Sequence, residues 1–369
     1  RHVLAGKGIG NNGGKILAAD IDRDGDQDLM QLAKQKVVQW KNFGGEQFSS
    51  QDVASGFSPG SGGWYGMGHY HFDKPSDLGS GDMDSDGDVD LVVACAGGGY
   101  ANRSPAIKWL QNDGLGSFES IVIDTGLEKP LDIEIVDFDF DGDLDVISVS
   151  HEDGYISWHE RRASTFLNQR LVNSGDEDLV RIKVGDMDGD GDLDIVANSY
   201  NSIYWFENQG YGNFQEITIE ADLSQRDLEL ADIDGDGDLD ILTVNGGYYQ
   251  APMLRRNLGG GVFAELEELI PEVRSTSVSV ADMDLDGDTD VILDQGWYEN
   301  QGGTFIEHLI AGSENLEEDF KVVDVDGDGD MDLLSRLSWF ENVGDNCSEE
   351  YNPNQNDTDQ NGVGDVCEP

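Results

Sequence analysis

An all-β fold, a seven-bladed β-propeller of four-stranded antiparallel blades, is predicted by three observations in this chain. A nine-residue pattern, Asp-x-Asp-x-Asp-Gly-Asp-x-Asp, occurs seven times, beginning at Asp20, Asp82, Asp137, Asp186, Asp232, Asp282 and Asp324. Successive starts lie 62, 55, 49, 46, 50 and 42 residues apart, the period of a solenoid or propeller. Short apolar runs such as Leu91-Val92-Val93 and Val291-Ile292-Leu293 follow the loops and, bounded by Gly and Asn, read as strands.

The loops come first. Their carboxylates are Asp20, Asp22, Asp24, Asp26 and Asp28, then Asp82, Asp84, Asp86, Asp88 and Asp90, then Asp137, Asp139, Asp141, Asp143 and Asp145. The fourth copy holds Asp186, Asp188, Asp190, Asp192 and Asp194, and the fifth Asp232, Asp234, Asp236, Asp238 and Asp240. The last two hold Asp282, Asp284, Asp286, Asp288 and Asp290, and Asp324, Asp326, Asp328, Asp330 and Asp332. Carboxylates this dense repel one another unless a cation sits among them, and calcium takes six to eight oxygens from such loops. Positions 1, 3, 5 and 9 offer side chains and position 7 a carbonyl, while Gly at position 6 permits the sharp turn. Seven calcium sites are expected. An EF-hand is excluded, because position 12 lacks its Glu and holds Gln31, Val93, Ser148, Ala197, Thr243, Leu293 and Ser335.

A second landmark follows each loop, a Trp and then Asn, as in Trp205-Phe206-Glu207-Asn208 and Trp297-Tyr298-Glu299-Asn300. The first copy reads Trp40-Lys41-Asn42, the third has Arg161 in place of Asn, and the fifth has Leu254 in place of Trp. A Phe comes next, at Phe48, Phe118, Phe166, Phe214, Phe263 and Phe305. Each repeat thus reads as strand, acidic loop, strand, Trp strand and Phe strand, the four strands of a propeller blade. The seventh repeat lacks its Phe strand, but Arg1-His2-Val3-Leu4-Ala5-Gly6 matches Glu307-His308-Leu309-Ile310-Ala311-Gly312. The amino-terminal strand is therefore expected to complete the last blade and remove a sheet edge.

Composition limits the partners. The formal net charge is -54, and seven divalent ions, carrying 14 positive charges, leave -40. Nucleic acid and anionic membrane are poor partners for such a surface. No apolar stretch approaches the length of a membrane span. The chain begins at Arg1 without a Met or signal sequence, as a processed form does, and loops of this kind suit millimolar calcium, so a secreted or cell-surface location is expected. Cys95 follows Leu91-Val92-Val93-Ala94 and reads as an inert thiol on an inner strand.

Over roughly residues 1–344 the repeats resemble the FG-GAP/VCBS type, whose calcium loops are shared with the propeller of integrin alpha subunits. The resemblance implies that each calcium loop joins the first and second strands of a blade. It also implies adhesion or ligand binding, although some members are attached to enzymes. Residues 345–369 form a second unit that resembles a thrombospondin type 3 repeat. That resemblance implies a calcium-wrapped tail with Asp357, Asp359, Asn361 and Asp365 as side-chain ligands, Val363 as a carbonyl ligand, and a Cys347–Cys367 disulfide. Asn361 and Ser348 depart from the family's usual Asp and Pro, which weakens the expected site.

Propeller topology puts the blade-to-blade connections and the second-to-third strand loops on the face away from calcium. Those segments carry Trp64, Tyr65, His69, His71, Tyr100, Arg103, His151, Tyr200, Tyr248 and Tyr249. Aromatic and polar groups on loops suit a binding surface, including a sugar platform. The expected function is a calcium-stabilised extracellular binding or adhesion module for a glycan or protein. A structural subunit of an extracellular assembly, through self-association, is the first alternative. A polysaccharide lyase is the second, with His69, His71, His151, Tyr100, Tyr248 and Arg103 as its available groups. Only 22 basic residues and the acidic surface disfavour a polyanionic substrate, and no nucleophile elbow, phosphate loop or zinc motif occurs.

Overall fold

A computed structural model describes residues 2–3, 15–33, 36–43, 48–55, 75–96, 105–173, 175, 179–210, 212–221, 225–245, 251–271, 273–294, 296–309, 320–325, 331–335 and 338–340. Among these, all regular structure is strand, arranged as seven four-stranded antiparallel sheets in a ring. The chain opens with β1 (His2–Val3), which belongs to the last blade. Blade 1 is β2 (Ile16–Ala19), β3 (Asp28–Ala33), β4 (Lys36–Asn42) and β5 (Phe48–Ser55). Blade 2 is β6 (Pro75–Gly81), β7 (Asp90–Cys95), β8 (Ala106–Asn112) and β9 (Phe118–Asp124). Blade 3 is β10 (Pro130–Val136), β11 (Asp145–Ser150), β12 (Tyr155–Arg162) and β13 (Thr165–Asn173). Blade 4 is β14 (Leu179–Gly185), β15 (Asp194–Ser199), β16 (Ser202–Asn208) and β17 (Phe214–Ala221). Blade 5 is β18 (Gln225–Ala231), β19 (Asp240–Asn245), β20 (Met253–Arg255) and β21 (Glu267–Glu268). Blade 6 is β22 (Val278–Ala281), β23 (Asp290–Leu293), β24 (Gly296–Asn300) and β25 (Phe305–Leu309). Blade 7 is β26 (Phe320–Val323), β27 (Asp332–Ser335) and β28 (Ser338–Phe340), with β1 as its outer strand.

The predicted closure is present. His2 pairs with Trp339 and Val3 with Ser338, so the amino terminus supplies the strand that the seventh repeat lacks. Each acidic loop joins the first and second strands of its blade. In blade 5 the Phe strand is replaced: Phe263 makes an isolated bridge to Asn257, and the short β21 pairs with β20 further along.

The core lies between blades rather than at the axis. Ile147, Val149, Ile156 and Trp158 of blade 3 pack with Leu179, Ile182, Ile195 and Phe206 of blade 4. The second residue of every acidic loop joins these layers. Ile21, Met83, Phe138, Met187, Ile233, Met283 and Val325 are each at most 5% exposed. Met83, for example, packs with Ile133 and Val146 of the next blade, and Met187 with Leu228 and Ile241. Each loop therefore plugs its neighbour, and loop geometry is coupled to the contact between blades.

The Trp landmark holds in most blades but slips in the first. Trp109, Trp158, Trp205, Trp297 and Trp339 each pair with the residue two after the last Asp of their loop. In blade 1 that place, opposite Met30, belongs to Gln39, and Trp40 pairs with Leu29. A shift of one residue turns a strand side chain to the other face. Trp40 accordingly packs backward against Val325, Leu334 and Trp339 of blade 7, where Trp109 and Trp205 pack forward.

Candidate functional site: the acidic loops and the opposite face

The acidic loops are built by their own backbone. Position 6 is Gly at φ of 89 to 99° in loops 1 to 6, from Gly25, Gly87, Gly142, Gly191 and Gly237 to Gly287. A Cβ on Gly142 or Gly191 would meet nothing within 4 Å, so left-handed backbone rather than space requires glycine there. The carboxylate at position 1 collects backbone N–H groups, as when Gly189 N, Asp190 N and Gly191 N donate to Asp186 at 2.8, 3.2 and 3.0 Å. The carboxylate at position 5 takes one more, Asp192 N to Asp190 at 2.9 Å. These bonds turn the remaining oxygens toward one another.

Carboxylate oxygens of Asp20, Asp22 and Asp24 all lie within 4.8 Å of each other, as do those of Asp82, Asp84 and Asp86, and of Asp137, Asp139 and Asp141. Asp186, Asp188 and Asp194 converge likewise, as do Asp232, Asp234 and Asp240. Asp22 Oδ1, Asp84 Oδ1 and Asp137 Oδ1 are buried without a hydrogen-bond partner. Orphaned, converging anionic oxygens fit a hard divalent cation and no neutral ligand. Of the seventh loop, Asp324 and Asp332 are described, and Asp326, Asp328 and Asp330 lie outside the described residues.

Position 9 has a second task. Asp28, Asp90, Asp145, Asp194, Asp240, Asp290 and Asp332 are at most 1% exposed. One oxygen of Asp194 accepts from the Trp205 indole at 3.0 Å and from Met187 N at 3.1 Å, and the other from Asn208 N at 2.7 Å. Asp145 is bound alike by Trp158 and Arg161 N, and Asp28 by Gln39 and Asn42 N. Burial pushes the carboxyls of Asp28, Asp90, Asp145, Asp194 and Asp240 up to about 6. The landmark Asn then ties neighbouring loops together. Asn112 Nδ2 donates to Val89 O of its own loop and to Ile21 O of the preceding loop, and Asn257 and Asn300 repeat this with Met187 O and Ile233 O. The signal for this latch, an Asn three residues after the Trp position in blades 2, 4, 5, 6 and 7, was present in the sequence, although its role was not.

On the opposite face, two of the expected ligand residues are described. His151, in the β11–β12 loop, donates from Nδ1 to Leu179 O at 3.2 Å. Its ring meets that of Tyr200, in the β15–β16 loop, edge-on at 5.9 Å, and Tyr200 is 46% exposed. These side chains bridge blades 3 and 4. Trp64, Tyr65, His69, His71, Tyr100, Arg103, Tyr248 and Tyr249 lie outside the described residues, as do Asp357, Asp359, Asn361, Val363, Asp365, Cys347 and Cys367 of the tail. Cys95 is free and half-buried, its thiol pushed up to about 11 by burial, in keeping with an inert role.

Between the inner strands runs a polar channel with a cavity of about 260 Å³. Bulges at Pro75/Asp77, Pro130/Asp132, Leu179/Arg181 and Gln225/Asp227 turn one side chain per strand toward the axis. Lys15 Nζ lies 2.5 Å from Asp77 and 3.0 Å from Asp132, and Arg181 lies 3.2 Å from Asp132. Lys183 bridges Glu134 and Glu229 at 3.3 and 3.1 Å. Burial pushes Asp77 up to about 7; burial opposes ionisation of Asp132 as well, but Lys15 and Arg181 hold it well below the usual carboxylate range. Lys321 makes no ion pair among the described residues, and burial, Lys15 and Lys183 lower its pKa. Sequence reading missed this network although its members hold fixed places. Lys15, Asp77, Asp132, Arg181 and Asp227 stand five residues before the first Asp of their loops, and Glu134, Lys183, Glu229 and Lys321 three before it. Residue type and sign change from blade to blade, however, and the members meet only when the ring closes.

Fold and loops together define a seven-bladed β-propeller whose blade loops carry aspartate clusters able to hold metal ions. The chain belongs to the FG-GAP-like repeat family, which matches residues 82–148, 137–197, 186–243 and 232–293. No curated protein matches the sequence. Among solved structures, it is similar to an Agrocybe aegerita lectin described for specific recognition of non-reducing terminal N-acetylglucosamine, at 20% identity over 79% of each chain with a TM-score of 0.56. It is also similar to BBS1N from its complex with ARL6DN, at 15% identity over 89% of this chain and 90% of that one, with a TM-score of 0.57. At these identities the likeness establishes the fold. No helix among the described residues is long and apolar enough to cross a membrane.

Proposed function

We propose that the chain is a calcium-stabilised extracellular module that binds a glycan on the face opposite its acidic loops. The observation that carries the reading is the division of labour between faces. One face is filled by carboxylate loops that need a cation, and the other carries the exposed Tyr200 against His151. An exposed tyrosine backed by a fixed imidazole is a surface on which a sugar ring stacks while its hydroxyls find polar partners. The ions in this reading are calcium at positions 1, 3, 5 and 9, with the position 7 carbonyl, as oxygen-only donor sets favour. In this proposal the other expected aromatic residues, from Trp64 to Tyr249, which lie outside the described residues, belong to the same surface. Residues 345–369 are, in this proposal, a separate calcium-wrapped tail.

A glycan array probed with the purified chain in millimolar calcium, and again with excess chelator, tests it. Binding that needs calcium and falls at least about tenfold in Tyr200→Ala, which is about 1.4 kcal/mol, is the expected result. An array blank in calcium, with the folded protein running as a self-associated species, overturns the glycan reading in favour of an assembly subunit.

A further inference from the structure

The residue just before the landmark Asn faces the acidic loop of its own blade, and its charge changes around the ring. It is Lys41 in blade 1, Gln111 in blade 2, Glu160 in blade 3, Glu207 in blade 4, Arg256 in blade 5 and Glu299 in blade 6. Lys41 pairs with Asp22, at position 3 of loop 1, and lies 3.5 Å from Asp24 at position 5. Arg256 Nη1 donates to Asp234, at position 3 of loop 5, at 2.7 Å, while its Nε holds Glu267 at 2.8 Å. The Gln111 amide donates to Asp84, at position 3 of loop 2. Three blades thus show one reach, from this side chain to the third carboxylate of the loop. Where the residue is Glu, no cation is placed on the third carboxylate among the described residues: Glu160 pairs with Arg162 and accepts from Gln169, and Glu299 accepts from Gln301 and from His308 Nε2 at 2.7 Å.

We infer that this position grades the described loops by calcium affinity, with Lys41 and Arg256 making loops 1 and 5 weak, self-neutralised sites, and loops 4 and 6, where Glu207 and Glu299 stand instead of a cation, the tighter ones. The inference rests on the calcium reading above. A cation entering loop 5 meets a guanidinium already bound to one of its ligands, whereas one entering loop 4 or 6 has no such partner to displace among the described residues. Charges a few ångströms apart near a protein surface interact by several kcal/mol for unit charges, enough to separate affinities widely. The same built-in cations give loops 1 and 5 a counter-charge when calcium is withdrawn. Loops 4 and 6 have no such substitute among the described residues, so they govern whether the ring survives chelation. As calcium falls, loops 1 and 5 empty first and at little structural cost.

Calorimetric titration of the chelator-stripped full chain with calcium chloride tests this, with Arg256→Glu and Glu207→Lys as mirror variants. The wild type is expected to fill in at least two affinity classes. Arg256→Glu moves one site into the tight class, and Glu207→Lys moves one out of it, each by at least about tenfold. Melting in excess chelator adds a sign that misfolding does not mimic: Glu207→Lys melts above the wild type and Arg256→Glu below it, the latter recovering in millimolar calcium. Should Arg256→Glu fail to fold, Arg256→Gln and Glu207→Lys carry the test. Identical isotherms for folded variants and wild type, or a single affinity class, overturn the grading. Absence of any calcium uptake by the wild type overturns the calcium reading as well.

Discussion

At the scale of single residues, His159 is a buried base held neutral by its burial and oriented by a defined pair of partners. Its Nε2 accepts from Ser148 Oγ at 2.9 Å and its Nδ1–H donates to Asn168 Oδ1 at 2.8 Å. Asn168 is itself oriented by its Nδ2 donating to Ile123 O, which joins blade 3 to the outer strand of blade 2. Burial holds the imidazole down to about 4, below the ordinary value of 6.5. Because the unfolded chain takes up the proton first, stability is full above pH 6.5 and is lost as pH falls from 6.5 to 4. This one group accounts for up to about 3 kcal/mol of that loss. Urea titrations at fixed saturating calcium, comparing wild type with His159→Gln from pH 7.5 to 4.5, check it. The stability gap in favour of the wild type is expected to shrink steadily with acid; a constant gap counts against the assignment.

At the scale of the blade, the acidic loop is the centre of a four-part joint. Position 2 plugs the next blade, position 9 receives the Trp or Gln side chain, and the landmark Asn ties the loop to its predecessor. Asn300 serves two carbonyls, Thr289 O at 3.0 Å and Ile233 O at 2.8 Å, and is 2% exposed. Asn300→Ala leaves both acceptors unpaired and is expected to cost about 1–3 kcal/mol, read as a lower melting temperature. Asp113→Ala, on an exposed turn, is the control and should shift it far less. The joint also explains what the sequence made legible. Loops, strand order and the Gly at position 6 are local and carry fixed spacing, so they could be read directly. Trp40 misled because blade 1 spaces Trp and Asn one residue closer, and only the strand register reveals that Gln39 took the indole's place. The channel charges Lys15, Asp77, Asp132 and Arg181 come from four successive blades, each five residues before the first Asp of its loop, but their signs differ and only the closed ring brings them together.

At the scale of the whole molecule, a closed ring lets every blade pack on two neighbours, with one short pairing of β1 to β28 as the closing seam. Deleting residues 1–6 reopens a sheet edge in blade 7 and is expected to lower the melting temperature well beyond what removal of residues 345–369 does; equal shifts in differential scanning calorimetry would refute closure by that strand as a source of stability. The seam has a mechanical consequence. In an antiparallel pair, the start of β1 and the end of β28 lie side by side, so tension between the two ends of the domain peels the strands apart one hydrogen bond at a time instead of shearing them together. Among the described residues, the pairs that His2 and Val3 make are what resist that peeling through the backbone. A tethered copy under load would therefore yield first at blade 7, giving up length at low force while blades 1 to 6 keep their strands and their acidic loops.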